Sequence, residues 1–247
     1  MRSLRLHLWP TLFTVPAVLV LLALGTWQVQ RLFWKEALIA ERQAGLAAPV
    51  TPWSEAADRL GELYWHRLSA QGRFLNDREL VLAARSMNGN PGYHIVAPFA
   101  IEGGPVLLVD RGWVPLDRKN PGTRSQGQPE GLVTVTGILR PGHQPNWLTP
   151  DNQPDKNFWF WIDIAAMARA VAAEDRAVMA AYLEADATPN PGGLPIGGQT
   201  RIDLPNDHLQ YAITWYALAV ALVVIYILYS RGAGRPPDSP DRREVET

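Results

Sequence analysis

A chain of 247 residues, 47% hydrophobic and only 19% charged, can build one sizeable domain plus membrane segments and is too apolar for a disordered polymer. Its 23 basic and 24 acidic side chains give a net charge of -1, so no global positive field exists to hold a polyanion. No arginine-lysine stripe is interleaved with aromatics either, so nucleic acid is not an expected partner. The absence of cysteine excludes disulfides, thiolate-bound zinc or iron-sulfur clusters, thiol catalysis and covalent haem attachment through Cys-x-x-Cys-His.

Between Leu6 and Gln30 there is no Asp, Glu, Lys or Arg, and Leu12 to Trp27 is almost wholly apolar. With its flanks this block can cross a hydrocarbon layer of about 30 Å, and residues 12–30 are expected to form the first span. Trp9 and Trp27 stand near its ends, as interfacial aromatics do, and Pro16 is tolerable in a membrane helix. The rival is a cleaved signal peptide, with Arg2 and Arg5 before an apolar core and Ala23-Leu24-Gly25 as the cleavage site. Against it, the helical spacing runs on through Leu32, Lys35, Leu38 and Ile39. A second block, Tyr211 to Tyr229, has no formal charge and is stopped by Arg231 and Arg235, which predicts a span over 208–230.

Arg2 and Arg5 precede the first span and Arg231 and Arg235 follow the second, so 1–11 and 231–247 are expected on the cytoplasmic side. Residues 31–207 would then form an extracytoplasmic domain; they carry 17 basic and 20 acidic residues. The Pro-, Asp- and Arg-rich end from Gly232 reads as a short tail.

Within the outer domain, residues 64–140 alternate with period two between turn residues, which predicts antiparallel strands. One hairpin is expected from Leu68–Leu75 and Glu79–Arg85 around Asn76-Asp77. A second pairs Tyr93–Ile101 with Pro105–Val114 through Glu102-Gly103-Gly104. Leu132–Arg140 adds a strand with a bulge at Gly137, and Pro115–Gly131 is a long polar loop. Farther on, Asn157–Ile162 reads as an aromatic strand, Asp163 as the N-cap of a helix over Ile164–Ala173, and Arg176–Ala180 as a second short helix. Tyr182–Ala187 and Thr200–Leu204 bracket a proline-glycine loop. The expected fold is a membrane-anchored α+β protein: two transmembrane helices flank a mainly antiparallel sheet, curling toward a barrel, with a few helices.

Hydrolase and nucleotide motifs are absent: there is no Gly-x-Ser-x-Gly, His-Glu-x-x-His, Walker loop or Gly-x-Gly-x-x-Gly. Asp110, Asp117 and Asp163 read as turn or surface carboxylates. Asp110 and Arg111 adjoin in a strand and should point to opposite faces, one of them satisfied in the core or at a partner surface. The five histidines, His7, His66, His94, His143 and His208, lack the short spacings of a metal site. His208 is set apart by its place just before the second span. Asp207 with Gln210 suits a capping box, which puts His208 in the first turn of that helix. A neutral imidazole there can coordinate iron; equally, it can be an interfacial side chain bonded to backbone.

Along the same helix Gln210, Thr214, Ala217 and Ala221 recur at spacings of four, three and four, and Gln28, Gly25 and Ala17 form a comparable stripe on the first span. These faces could pack on one another, as small and hydrogen-bonding residues do in lipid, or could leave a groove for a flat cofactor walled by Trp147, Trp159 and Trp161.

The residues also resemble the surfeit locus protein one family, membrane proteins required for assembly of haem-copper cytochrome c oxidases. The resemblance is carried by Gly25-Thr26-Trp27-Gln28-Val29-Gln30-Arg31 with Lys35, by Gly92-Tyr93 with Pro98-Phe99, and by Val109-Asp110-Arg111-Gly112-Trp113-Val114-Pro115. Its most specific part is Pro195 and Gly197-Gly198-Gln199, followed by Asn206-Asp207-His208-Leu209-Gln210-Tyr211-Ala212 with Thr214-Trp215. Asp207 stands where relatives often have a second asparagine. The resemblance implies a non-enzymatic factor of the bacterial cytoplasmic membrane that works with oxidase subunit I and other assembly factors. It also implies transient receipt of haem a, with His208 as axial ligand and Tyr211 and Trp215 lining the macrocycle. The alternatives are a scaffold for subunit I that never touches haem, and a membrane-anchored hydrolase, which would need polar groups converging in a pocket of the outer domain.

Overall fold

The computed structural model describes residues 8–142, 144–171, 176–200 and 204–232. Contacts divide the chain into two compact units, one built from residues up to Ile39 and from Leu204 onward, the other from Ala40–Asp203. The expected tail beyond Gly232, His7, His143, the end of the helix predicted over 164–173 and most of the strand predicted over 200–204 lie outside the described residues.

The first unit rests on two helices, α1 (Leu8–Ala47, of which its residues up to Ile39 belong here) and α4 (His208–Gly232). Both are long and apolar enough to cross a membrane. At 1.5 Å per residue the 40 residues of α1 reach about 60 Å, twice a hydrocarbon core, so the helix outlasts its apolar block. Burial marks the face that α1 turns to α4: Thr11, Thr14, Val18, Leu21, Gly25, Gln28, Leu32 and Lys35 are less exposed than their neighbours. The matching face of α4 is His208, Ala212, Trp215, Ala219, Leu222 and Tyr226. Steps of three and four alternate on both helices, the pattern of left-handed knobs-into-holes packing. Gly25 is required here: a Cβ would stand 2.8 Å from the Tyr216 ring.

Gly25 and Gln28 therefore lie on the packed face, but Gln210 and Thr214 do not. Both are exposed, as are Ala217 and Ala221. The Thr214 hydroxyl is satisfied locally, donating to the Gln210 carbonyl oxygen at 2.9 Å, and needs no partner helix. The packed face of α4 lies two residues out of phase with the predicted one, on Ala212 and Ala219, which are 2% and 3% exposed.

The second unit is a closed barrel. Strands β2 (Arg67–Phe74), β4 (Asn90–Ile101), β5 (Val106–Pro115), β6 (Val133–Pro141) and β7 (Val178–Ala185) pair in the order β2-β6-β7-β5-β4 and back to β2. All pairs are antiparallel except β5 with β7. Five-stranded Greek-key barrels such as the OB-fold share this connectivity, which carries no function by itself. Strand β1 (Thr51–Pro52) and helix α2 (Trp53–Ala56) flank β2, and β3 (Leu80–Met87) extends the sheet beyond β4. Alternation fills the interior: Leu68, Ala70, Phe99, Ile101, Leu107, Val109, Val135, Leu139, Ala181 and Leu183 form one buried cluster. The opposite faces of β4, β5 and β7, with β3, pack outside on Trp159, Ile162 and helix α3 (Ile164–Val171). The Asp163 carboxylate caps α3 as expected, accepting the Ala166 N–H at 2.9 Å.

The hairpin predicted around Asn76-Asp77 does not form. Strands β2 and β3 both run antiparallel to the twelve-residue β4, β3 along its first half and β2 along its end, and 76–78 is a single 3-10 turn between them. The second hairpin, β4 with β5, forms as expected. Gly137 is no bulge: it sits in continuous register opposite Leu68 and Ala185. The expected strand at 157–162 is reduced to isolated bridges at Phe158 and Trp159, and β7 occupies part of the expected helix at 176–180.

Candidate functional site

In the first unit α1 and the segment leading into α4 bring His208 against Gln28. His208 Nδ1 lies 2.7 Å from Gln28 Oε1. An amide oxygen can only accept, so the proton of this bond sits on Nδ1 and the lone pair of the ring is on Nε2. Gln28 is 9% exposed, and a buried amide in an apolar helix is costly unless paired; His208 is the partner that holds it. Among the described residues Nε2 has no hydrogen-bond partner. A buried group orients the imidazole while its other nitrogen stays open, the arrangement that metal-bound histidines require.

Further contacts fix this end of the unit. Lys35 Nζ donates to the Pro205 carbonyl oxygen, which ties α1 to the turn before α4. Thr26 Oγ1 donates to the Leu22 carbonyl oxygen, so the Tyr216 hydroxyl 3.1 Å away is the donor of their shared bond. The expected capping box is not made: Asp207 contributes its main-chain oxygen to the Tyr211 N–H, and neither its carboxylate nor the Gln210 amide caps α4. Asn206 Oδ1 is buried without a donor beside them. Trp215 is half-buried on the face of His208, and Tyr211 is exposed one turn away. The three tryptophans proposed as walls are scattered: Trp159 is barrel-side core, Trp147 is 90% exposed and Trp161 borders a cavity of the second unit.

That cavity, about 350 Å³, lies on the outer face of the barrel and has a signal the sequence reading missed. Between His94 and Val96 of β4, the partners on β5 step from Trp113 to Asp110, so β5 carries an extra residue. Without it Asp110 would face the barrel side opposite to His94; with it the two share a face and bond, Nδ1 to Oδ2, at 2.8 Å. Gly112 makes the bulge possible: its φ is +112°, and a Cβ would stand 1.9 Å from the Ile196 oxygen. Its N–H donates to the second Asp110 oxygen at 3.0 Å. Beside the pair, Glu184 accepts from Arg140 at 2.8 Å and from the Tyr182 hydroxyl at 2.9 Å. Burial first, then the Glu184 charge, raises the Tyr182 pKa, so the phenol stays a donor. The polar groups that a hydrolase reading demands are thus in one pocket. No hydroxyl among the described residues bonds His94, however, so no nucleophile-base pair is assembled.

Arg111 points the other way, into a buried ion cluster. Its guanidinium donates to the Gly127 oxygen at 2.6 Å and Asn190 Oδ1 at 2.8 Å, lies 4.4 Å above the Phe74 ring and 3.6 Å from Glu79. Glu79 is held at the same time by two bonds from Arg124, at 3.1 and 2.6 Å. Burial lowers the Arg111 pKa to about 10 despite the Glu79 charge, with Arg124 adding to the fall. Asp110 and Arg111 thus find their partners on opposite sides of β5, Arg111 through Nη2 and its ion pair while Nη1 makes no hydrogen bond, and Arg124 pins the polar loop that the sequence left on the surface.

The profile of the SURF1 family matches residues 15–220. A SURF1-like protein of Monosiga brevicollis is 36% identical over 241 residues, covering 92% of this chain and 89% of its own. Surfeit locus protein 1 of Mus musculus is 35% identical over 229 residues (87% and 72%), and that of Homo sapiens 36% over 214 residues (80% and 70%). Matches of this extent, across both helices and the barrel between them, make the chain a member of the SURF1 family.

Proposed function

We propose that the chain is an assembly factor for a haem-copper cytochrome c oxidase that receives haem a transiently and hands it to subunit I, with His208 as axial ligand. The observation that carries this is the Gln28-His208 bond, which leaves an Nε2 lone pair open at the end of a membrane helix. The donor set fits: neutral imidazole is a ligand for haem iron, and half-buried Trp215 offers apolar surface near it. Haem is cargo here, so a single oriented histidine is suited to release as well as to capture. Exposed Tyr211 would contribute only from the rim.

In this reading both helices span the cytoplasmic membrane of a bacterium and both termini face the cytoplasm. Arg2, Arg5, Arg231 and Arg235 support that orientation. Residues 40–203 then lie outside and are the surface offered to subunit I and other assembly factors. The role is binding and transfer rather than covalent catalysis. The second reading, a scaffold for subunit I without haem, treats the Gln28-His208 bond as helix glue alone.

Adding haem a to the purified chain and recording the visible spectrum for wild type and His208→Ala separates them. The proposal expects a haem-dependent Soret band in the wild type that His208→Ala loses or shifts. Identical spectra in the two forms would end it.

A further inference from the structure

We infer that the cavity on the outer face of the barrel is a binding site for a small organic acid, a carboxylate on a flat apolar body, with Arg85 receiving the carboxylate. Hydrogen-bond accounting gives the ligand's charge. Both carboxylates that line the cavity are engaged at each oxygen: Asp110 by His94 and the Gly112 N–H, Glu184 by Arg140 and Tyr182. Each carboxylate is thus already paired with donors of the protein itself. Arg85 lines the same cavity, is only half-exposed and has no ion pair or hydrogen bond among the described residues. A guanidinium, with five donors, no acceptor and no partner of its own, selects an acceptor-rich, negatively charged group.

Two irregularities in neighbouring strands shape the cavity wall. The register of β3 against β4 shifts between Leu82 and Arg85, and Ala84 within that shift has φ of +54°, a conformation that costs a residue with a Cβ about 1 kcal/mol or more. The bulge in β5 orients His94 through Asp110. Strand irregularities that re-aim side chains gather at binding sites. The far wall is fixed too: the Asn152 side chain accepts the N–H groups of Phe160 (2.8 Å) and Trp161 (3.3 Å) and donates to the Trp161 oxygen (3.2 Å). Phe160, Trp161 and Ile162 thereby give the same cavity a preformed apolar surface.

The probe is 2-naphthoate, with 2-naphthamide as its neutral counterpart of the same shape. Both are titrated calorimetrically into the full chain in detergent and into detergent alone. The acid should bind saturably and at least ~10-fold more tightly than the amide, a preference that Arg85→Gln removes. Arg85→Gln breaks no hydrogen bond or ion pair among the described residues, and circular dichroism checks that the fold is retained. Equal affinity for acid and amide, a preference that survives Arg85→Gln, or no saturable binding of the acid would each overturn the assignment.

Discussion

Replacing Glu79 by glutamine removes the one carboxylate that two buried guanidiniums share. Glu79, Arg111 and Arg124 are 7%, 1% and 5% exposed, so neither arginine can turn to solvent when its counter-ion is lost. The amide keeps the shape and one acceptor but leaves both charges uncompensated, and breaking a buried pair in this way costs about 3–5 kcal/mol. For a unit of this size that lowers the melting temperature by roughly 6–20 °C. Thermal unfolding of the full chain, followed by the near-ultraviolet signal of the barrel, measures it. Adding Arg124→Met to Glu79→Gln should restore part of the loss, because one stranded charge is then removed, with a coupling of about 0.5–3 kcal/mol. A drop under 1 kcal/mol for Glu79→Gln, or simple additivity in the pair, would refute the claim that Glu79 compensates both buried guanidiniums.

Gly25→Val should loosen the helix pair, since its Cβ would meet the Tyr216 ring at 2.8 Å; Tyr216→Ala in the same chain should recover helix stability, read from the far-ultraviolet melt. Gln28→Leu should leave the fold intact but lower the affinity for haem a by about 10- to 100-fold, the usual effect of losing a partner that orients a metal-binding histidine. Tyr182 has a raised folded-state pKa, so its contribution to stability is whole below the ordinary tyrosine pKa of 10.0 and is lost as pH rises above it. The unfolding free energy of the wild type should accordingly fall more steeply above pH 10 than that of Tyr182→Phe, and parallel curves would contradict the burial of this phenol.

Much of this architecture is legible in the residues, for identifiable reasons. The two apolar helices are visible because bilayer thickness sets their length, and the barrel strands because one face of each is buried, which imposes period two. What escapes depends on partners distant in sequence. Nothing near Asn76 reveals that β2 and β3 both lie against β4 rather than on each other. The phase of α4 was misleading because Gln210, Thr214, Ala217 and Ala221 form a polar-to-small stripe as regular as the packed one, and only the structure shows that the contact falls on Ala212 and Ala219.

The polar cavity was concealed by a single extra residue. Strict alternation separates Asp110 from His94, and the glycine that breaks it, Gly112, reads equally well as an ordinary turn or bulge. His94 therefore reads only as one of five histidines without the spacing of a metal site. For His208 the position at a span boundary singled out the residue, but its bond to Gln28 joins residues 180 apart and required the structure. Arg124 sits in a segment so polar that solvent was its natural partner, and only the placement of Glu79 turns it inward.

The central claim is delivery to subunit I, and its most direct measurement is co-purification of that subunit with the tagged chain from cells able and unable to synthesise haem a, for wild type and His208→Ala. Delivery predicts that capture of subunit I changes with haem a supply in the wild type and ceases to respond in His208→Ala. Capture indifferent to haem a in both forms would contradict it and leave the scaffold.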